Sequence, residues 1–366
     1  MAVVGAAGLI VGGSAGYFYG SSVSQAKIEQ EVSEARRGLS GKVAMYDWSN
    51  NNNPFVFELF KDETGVKVIY DVFDSDDEAF AKLEAGGSGY DIVVLTDKYV
   101  RNAIERGYVR KLDKGLIPNL KYLDPKFREL EYDPENNYSV PYGFGSTAIG
   151  LNSDEVKDLS SWKQFFDPNY LQKYRRKFSM LEDPPEVVFA TKLYLGKDLD
   201  DWSDSTMEEV KEALINQKPY IAGYFSTDKY LPSLENGSLL AAHAYNGDVL
   251  TMKYGDGFRN ISYLIPEEGA IAWIDNLLVP KDAPNPEAAQ ALINYLIDPL
   301  VAAYKTISVY IAMPIPATKK LLPSELAEEP ALIPPPDLMK RLYLSPVMTD
   351  EKRAKINDIW EQVLAA

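Results

Sequence analysis

The chain has 366 residues, more than one ordinary domain, so two units that each bury a core are expected. Hydrophobic residues make up 46% and charged residues 25%, a globular balance that excludes a disordered or fibrous chain. With 38 Lys+Arg against 54 Asp+Glu, the net charge of −16 is opposite to what a nucleic-acid binder needs to displace counterions from phosphate, and it favours cationic partners. The absence of cysteine excludes thiol chemistry, disulfides, cysteine-based zinc sites and lipid attachment through an N-terminal cysteine. A single histidine excludes a multi-histidine metal site within one chain.

Residues 1–26 carry no charged side chain and are apolar or small, enough for the roughly 20 residues of a membrane-spanning helix. This segment reads as a signal peptide or an N-terminal membrane anchor. Gly8, Gly12, Gly16 and Gly20 fall on one helical face, which permits close helix contact in lipid; a glycine-rich signal sequence without specific packing is the competing reading. The basic region that usually opens a signal peptide is missing, positive residues come only afterwards (Lys27, Arg36, Arg37), and Ser24-Gln25-Ala26 is a weak cleavage signal. Export is expected, with cleavage open. Residues 27–41 read as a stalk, with a short apolar stripe (Ile28, Val32, Ala35, Leu39) and three basic residues balancing three acidic ones.

From there the chain alternates. Lys42–Trp48 reads as a strand, and Asn53-Pro54 opens a helix that runs to Gly65. Lys67–Phe73 is a second strand, and Ser75-Asp76-Asp77-Glu78 is a capping box for a helix that stops at Gly86. Residues 90–96 (YDIVVLT) form a nearly continuous apolar run, the mark of a strand buried on both faces, and a helix follows to Gly107. Strand–helix–strand–helix predicts a parallel sheet with right-handed crossovers. Further strands are predicted at 147–152, 239–245 and 272–280, and a helix from Asn285-Pro286 to Asp298-Pro299. Residues 314–336 are proline-rich and mostly irregular, and 349–364 close the chain as an amphipathic helix facing inward with Ile356, Ile359, Trp360, Val363 and Leu364.

In open α/β sheets ligands bind beyond the carboxyl ends of strands. There this sequence repeatedly sets an aromatic beside a carboxylate or a small polar residue: Trp48-Ser49-Asn50, Thr96-Asp97, Tyr245-Asn246-Gly247-Asp248 and Trp273-Ile274-Asp275, with Asp183 and Glu186 in a Pro-rigid turn. Aromatic faces attract ammonium groups and carboxylates do so with direction, so the set suits an organic polycation. Singly, each acid reads more readily as a solvated or capping residue, and only their recurrence at strand ends points to a site. His243 lies in an apolar run and reads as a buried structural histidine. Gly86-Gly87-Ser88-Gly89 precedes a strand and lacks a following Lys-Ser/Thr, so it is not a phosphate loop, and no cofactor is expected. The asparagines at 50–53 read as a polar loop and helix cap. Paired carboxylates leave a glycosidase-type enzyme open as a second reading, although nothing fixes their separation.

The stretches MYDWSN (45–50), FKDETGVKVIYDVFDSDDEAFAKL (60–83), YDIVVLTDKYV (90–100), NNYSVPYGFGSTAIGLN (136–152), LEDPPEVV (181–188), AYNGD (244–248), EEGAIAWIDNLLVPKDAPNPEAAQALINYL (267–296) and MPIP (313–316) stand in an order and spacing that resembles the polyamine-binding (spermidine/putrescine) solute receptors of ABC importers. The resemblance implies a two-lobed α/β fold of the type II periplasmic-binding-protein kind, with a two-strand hinge and the ligand in the cleft between lobes. The corresponding division is 42–147 with 275–318 for one lobe and 148–274 with 319–366 for the other. It further implies an extracytoplasmic, non-enzymatic, monomeric receptor that delivers putrescine or spermidine to an ABC permease. A receptor for another small organic solute on the same fold stays open.

By the same resemblance the ligand contacts fall on Trp48, Ser49, Thr96, Asp183, Glu186, Ser226, Tyr245, Asp248, Trp273 and Asp275. Asp275 with Trp273 corresponds to the anchor of one terminal amine, and Asp183 with Glu186 to partners of the amine that distinguishes a longer ligand. Tyr245 stands where the family usually has Trp, Asn51 where an aromatic is common, and Lys98 where Tyr is common. An inward Lys98 would repel an amine, so either it points out or the ligand is shorter. Tyr310 or Met313 fills the late aromatic position.

Overall fold

The computed structural model describes residues 41–86 and 89–366. The expected anchor or signal peptide at 1–26, the stalk up to residue 40, and Gly87 and Ser88 lie outside the described residues.

β1 (Lys42–Trp48) and β2 (Lys67–Phe73) have the expected bounds and pair in parallel across α1 (Phe55–Thr64). Asn53 Oδ1 accepts the Phe55 N–H at 3.0 Å, and Gly65, at φ 79°, ends the helix in the left-handed region that a side chain would resist. α2 (Asp76–Glu84) starts from Ser75, whose Oγ accepts the Glu78 N–H at 3.2 Å. The reciprocal half of the capping box is replaced, because the Glu78 carboxylate takes the Tyr46 hydroxyl at 2.6 Å. β3 (Ile92–Thr96) is buried at every position, as its apolar run requires, and leads directly into α3 (Asp97–Glu105).

β4 (Ser139–Asn152) is 14 residues long and begins well before the strand expected at 147–152. Pro141, Gly143 and Gly145 in its first half are poor strand formers. Pro141 is tolerated because the register shifts between it and Gly143, where a missing N–H costs no ladder bond. A Cβ at Gly145 would lie 2.2 Å from Trp273 Cζ2, so this glycine lets the indole rest on the backbone.

The remaining strands are β5 (Phe178–Leu181), β6 (Tyr224–Phe225), β7 (Ala241–Tyr245), β8 (Ile261–Leu264), β9 (Ala270–Leu278) and β10 (Leu342–Leu344). Their order is β2-β1-β3-β9-β4-β7-β5-β6, with β8 on β4 and β10 on β9. β9 pairs with β3 from Asp275 to Leu278, and β4 pairs with β7 from Thr147 to Leu151. β4 and β9 run antiparallel to each other over residues 139–147 and 271–278 and so belong to both halves of the sheet. Neither β3 nor β7 reaches residues 143–146 of β4 or 273–274 of β9, so the two strands pass between the halves of the sheet there. Residues 310–313 add a third segment at the crossing, where the Phe144 N–H donates to Ala312 O at 2.8 Å.

Helices cover both halves. α4 (Pro184–Leu195), α5 (Asp204–Gln217), α6 (Thr227–Glu235) and α7 (Asn246–Leu250) accompany the second half, and α8 (Pro286–Leu296) packs near β1. Asp298-Pro299 ends α8 as expected and also starts α9 (Pro299–Val309), which was not expected; Asp298 Oδ1 accepts the Leu300 N–H at 2.9 Å. Residues 314–336 hold only short helical turns. α10 (Asp350–Ala365) buries Ile356, Ile359 and Val363, with Trp360 half-buried, but Leu364 is 50% exposed, because the helix end projects beyond the core it packs on.

Candidate ligand-binding site

At the end of β1, Asp47 is fully buried. Its Oδ1 accepts the Trp48 N–H and Asn51 Nδ2, both at 2.8 Å, and its Oδ2 accepts Asn52 Nδ2 at 2.7 Å and the Tyr70 hydroxyl at 3.3 Å. Asn51 Nδ2 is also 3.3 Å from Asp275 Oδ2, so one amide bridges two carboxylates. The asparagines at 50–53 are therefore more than a loop and cap: Asn51 and Asn52 are buried partners of the acid pair. Lys305, on the unexpected α9, is buried with Nζ 3.2 Å from the centroid of the Tyr142 ring. Burial pushes its ammonium down, against the pull of Asp47 and Asp275. Burial likewise raises Asp275 above the usual carboxylate range, with Lys305 opposing.

Trp273 lies two residues before Asp275 on β9 and therefore on the same face. Trp48 packs on Phe73 at 4.8 Å between ring centroids. The indole Nε1 atoms of Trp48 and Trp273 are both buried without a protein hydrogen-bond partner. Ser49 turns its hydroxyl to the Asp74 carboxylate.

A second acid cluster begins at the end of β3. Thr96 binds Asp76 twice, through Oγ1 to Oδ2 at 2.6 Å and through its N–H to Oδ1 at 3.1 Å. Asp97 Oδ1 accepts the Ile274 N–H at 3.0 Å, and burial pushes its carboxyl up to about 7. Lys98 points inward: Nζ is 3.4 Å from Glu186 Oε1 and 3.6 Å from Asp76 Oδ2. Burial works against its charge, and Asp183, Glu186 and Asp76 together raise it well above the ordinary lysine value. The outward alternative for Lys98 is excluded. Asp183 caps α4 by accepting the Glu186 N–H at 3.3 Å, which aims Glu186 back at the sheet, and its Oδ2 accepts the Tyr245 hydroxyl at 3.0 Å. Glu186 is 2% exposed, and its Oε2 has no hydrogen-bond partner.

A cavity of about 160 Å³ opens beside this cluster, lined by Asp76, Lys98, Asp183, Ser226, Thr227 and Tyr245 among others. It gathers Asp183, Ser226 and Tyr245 from the expected contacts, with Glu186 reaching it through Lys98. Trp48, Ser49, Trp273 and Asp275 belong to the first cluster, and Thr96 links the two by its pairing with Asp275. Asp248 stands at the edge, its Oδ2 accepting the Thr227 hydroxyl at 3.1 Å and the Tyr230 hydroxyl.

The two residues expected at the late aromatic position have other packing partners. Tyr310, at φ 55°, turns its ring to Tyr254, and Met313 is buried in the main core. Ile311 is the residue beside the anchor: a Cβ on Gly143 would meet Asp275 Oδ2 at 3.0 Å and Ile311 Cγ2 at 3.3 Å. Sequence reasoning also missed Asp47, Asp76 and Lys305. Asp47 does adjoin Trp48 at a strand end, the signal that exposed the other acids. His243 is fully buried, edge-on to Trp162 at 5.3 Å, and burial pushes it down to about 3, which leaves it neutral and structural. Among the described residues there is no cluster of metal-ligating side chains and no helix long and apolar enough to cross a membrane.

Two long strands shared by two halves of one sheet, with buried acids and indoles at their crossing, define a two-lobed solute receptor of the type II periplasmic-binding-protein fold. The model of the bacterial extracellular solute-binding protein family matches residues 56–335, and the chain belongs to that family. It is 32% identical over 360 residues to the putrescine-binding periplasmic protein SpuD of Pseudomonas aeruginosa (strain UCBPP-PA14), covering 94% of this chain and 98% of that one. With the putrescine-binding periplasmic protein PotF of Escherichia coli (strain K12) it shares 35% identity over 314 residues, 82% of this chain and 85% of the relative. The solved structure of a putative spermidine/putrescine ABC transporter from Listeria monocytogenes superposes with a TM-score of 0.80 at 27% identity, covering 88% and 98% of the two chains.

Proposed function

We propose that this chain is an extracytoplasmic receptor that captures a polyamine between its two lobes and delivers it to an ABC permease. The observation that carries the reading is a charge imbalance at the crossing. Asp47, Asp76, Asp97, Asp183, Glu186 and Asp275 converge there, and the buried lysines beside them among the described residues are Lys98 and Lys305. Six carboxyl groups against two ammonium groups leave a demand for cationic charge that protons meet in the empty site, since burial raises Asp47, Asp76, Asp97, Glu186 and Asp275, and that a ligand ammonium can supply in their place. Trp48 and Trp273 add aromatic faces suited to an alkylammonium chain. The proposed contacts are Trp48, Ser49, Thr96, Asp183, Glu186, Ser226, Tyr245, Asp248, Trp273 and Asp275. The names of the relatives, which bind putrescine or are grouped with polyamine transporters, point the same way.

The lobes of this reading are 42–147 with 275–318 and 148–274 with 319–366, moving as a monomer about β4 and β9, without catalysis. Residues 1–26 would export the chain or tether it near its permease, raising effective concentration without a new contact.

Ligand-dependent melting and calorimetry across putrescine, cadaverine, spermidine, spermine, amino acids and sugars test the assignment. A polyamine at 100 times its Kd should stabilise the protein by about 2.7 kcal/mol. Stabilisation by a sugar or an amino acid with none by any polyamine would refute the reading. A turnover assay on the same panel addresses enzymatic activity.

A further inference from the structure

We infer that Lys98 is a built-in ammonium that fills one amine subsite of the cleft and makes the receptor select diamines over triamines. This rests on the polyamine reading above and goes beyond it by assigning the residue that sets ligand length.

Lys98 follows the end of β3, in the first half of the sheet, and its Nζ reaches Glu186 on α4, which accompanies the second half, at 3.4 Å. On its own side it lies 3.6 Å from Asp76 Oδ2. The lysine side chain is only 7% exposed, so it fills the space between the acids and is not a mobile surface charge. A ligand ammonium bridging the two halves at this place would meet the same carboxylates. The chain therefore supplies from its own sequence what a longer ligand would bring.

The remaining room is small. The adjoining cavity holds about 160 Å³, below the ~300–1,000 Å³ of pockets that take drug-sized ligands. Lys98 itself forms part of its wall, facing Asp183 and Tyr245. A third ligand ammonium entering there would stand beside a buried lysine ammonium, and like charges in such a setting cost several kcal/mol. At the Asp275 end Lys305 lies over the Tyr142 ring and acts on Asp47 and Asp275 through space, whereas Lys98 sits in direct ion pairs with the acids it neutralises. Glu186 Oε2, buried and unpartnered, marks acceptor capacity at the Lys98 end that a smaller donor can use. Specificity of this kind comes from a repulsive element placed against the wrong ligand.

Calorimetry of the full-length protein with putrescine and with spermidine tests the inference. The wild type should bind putrescine at least about tenfold more tightly than spermidine, and Lys98→Met should shift that ratio at least about tenfold toward spermidine. Lys98→Gln, which keeps a donor for Glu186 while removing the charge, should shift it the same way and guards against a folding defect in the first variant. A purely structural lysine would alter melting without moving the ratio. Wild-type protein binding spermidine as tightly as putrescine, or a ratio unchanged in a folded variant, would overturn the inference while leaving the polyamine reading intact. Wild-type protein that binds neither amine would overturn both.

Discussion

Thr96 and Asp275 stand directly opposite each other in the antiparallel ladder of β3 and β9. Opposed residues share a face, so this one pair ties the two acid clusters together. Thr96 holds Asp76 beside Lys98, while Asp275 meets Asn51 and through it Asp47. A slip of one residue would turn Asp275 away from the site, so the cleft depends on register as much as on composition.

Replacing Asp275 with Asn should weaken polyamine binding by about 3–5 kcal/mol, the scale for removing one member of a buried ion pair. Trp273→Ala should cost about 1–2 kcal/mol, because it removes an aromatic face and leaves the charge. Burial holds Asp275 above the usual carboxylate range, so an empty site retains a proton that an arriving ammonium expels. Affinity should therefore rise from mildly acidic to mildly alkaline pH, with proton release detectable by calorimetry in buffers of different ionisation enthalpy. Wild-type affinity in both variants would remove these residues from the site.

Gly145→Ala tests the close approach at the crossing. Its Cβ would lie 2.2 Å from Trp273 Cζ2 and 2.5 Å from Asn246 Oδ1, so the indole must move. Overpacking of this kind costs about 1–3 kcal/mol of stability. Urea denaturation should show that loss, and polyamine titration should show weaker binding, while tryptophan fluorescence reports the displaced ring. An unchanged emission spectrum with full affinity would mean that the indole does not rest on Gly145.

Lys305→Met strands the acid pair and should destabilise the protein by about 3–5 kcal/mol. Adding Asp47→Asn to it should recover much of the loss, since the variant pair no longer buries an uncompensated carboxylate. Urea denaturation of the two single variants and the double variant measures the coupling. Strictly additive losses would show that Asp47 and Lys305 do not sense each other.

Much of the fold was legible because its local signals agree with the global one. β1 and β2 match their expected bounds, and Ser75 caps the helix its sequence neighbours suggest, whereas the Pro-rigid turn expected at Asp183 is instead the capped start of α4. The first half of β4 was hidden because Pro141 and the glycines imitate a loop, and the reasons they are tolerated, a register shift and the ring of Trp273, are tertiary. Acids beside an aromatic at a strand end were legible as candidates, except Asp47 beside Trp48, which was passed over. Asp76 was masked by its place in the capping box of α2, and Lys305 by a helix that no periodic stripe announced. Lys98 was visible as a departure from the family, but only packing against Glu186 decides that it faces inward.

Asp97 joins the start of α3 to β9 by accepting the Ile274 N–H at 3.0 Å. Burial pushes its carboxyl up to about 7, opposed by that hydrogen bond and by Lys98 and reinforced by Asp76 and Glu186. In the unfolded chain an aspartate titrates near ~3.9. Between about pH 4 and pH 7 the native state therefore holds a proton that the unfolded state has lost, and stability falls as pH rises through that window. Above it both states are ionised and the cost stays constant. Asp97→Asn keeps an oxygen for the Ile274 N–H but cannot ionise, so it should escape the decline. Relative to wild type, the variant should gain about 2–4 kcal/mol between pH 4 and pH 8, as expected for a shift of roughly three pH units. Urea denaturation at intervals across that range measures the gain. A stability difference that stays flat with pH would show that Asp97 is ionised in the folded protein throughout, and that Lys98 offsets its burial completely.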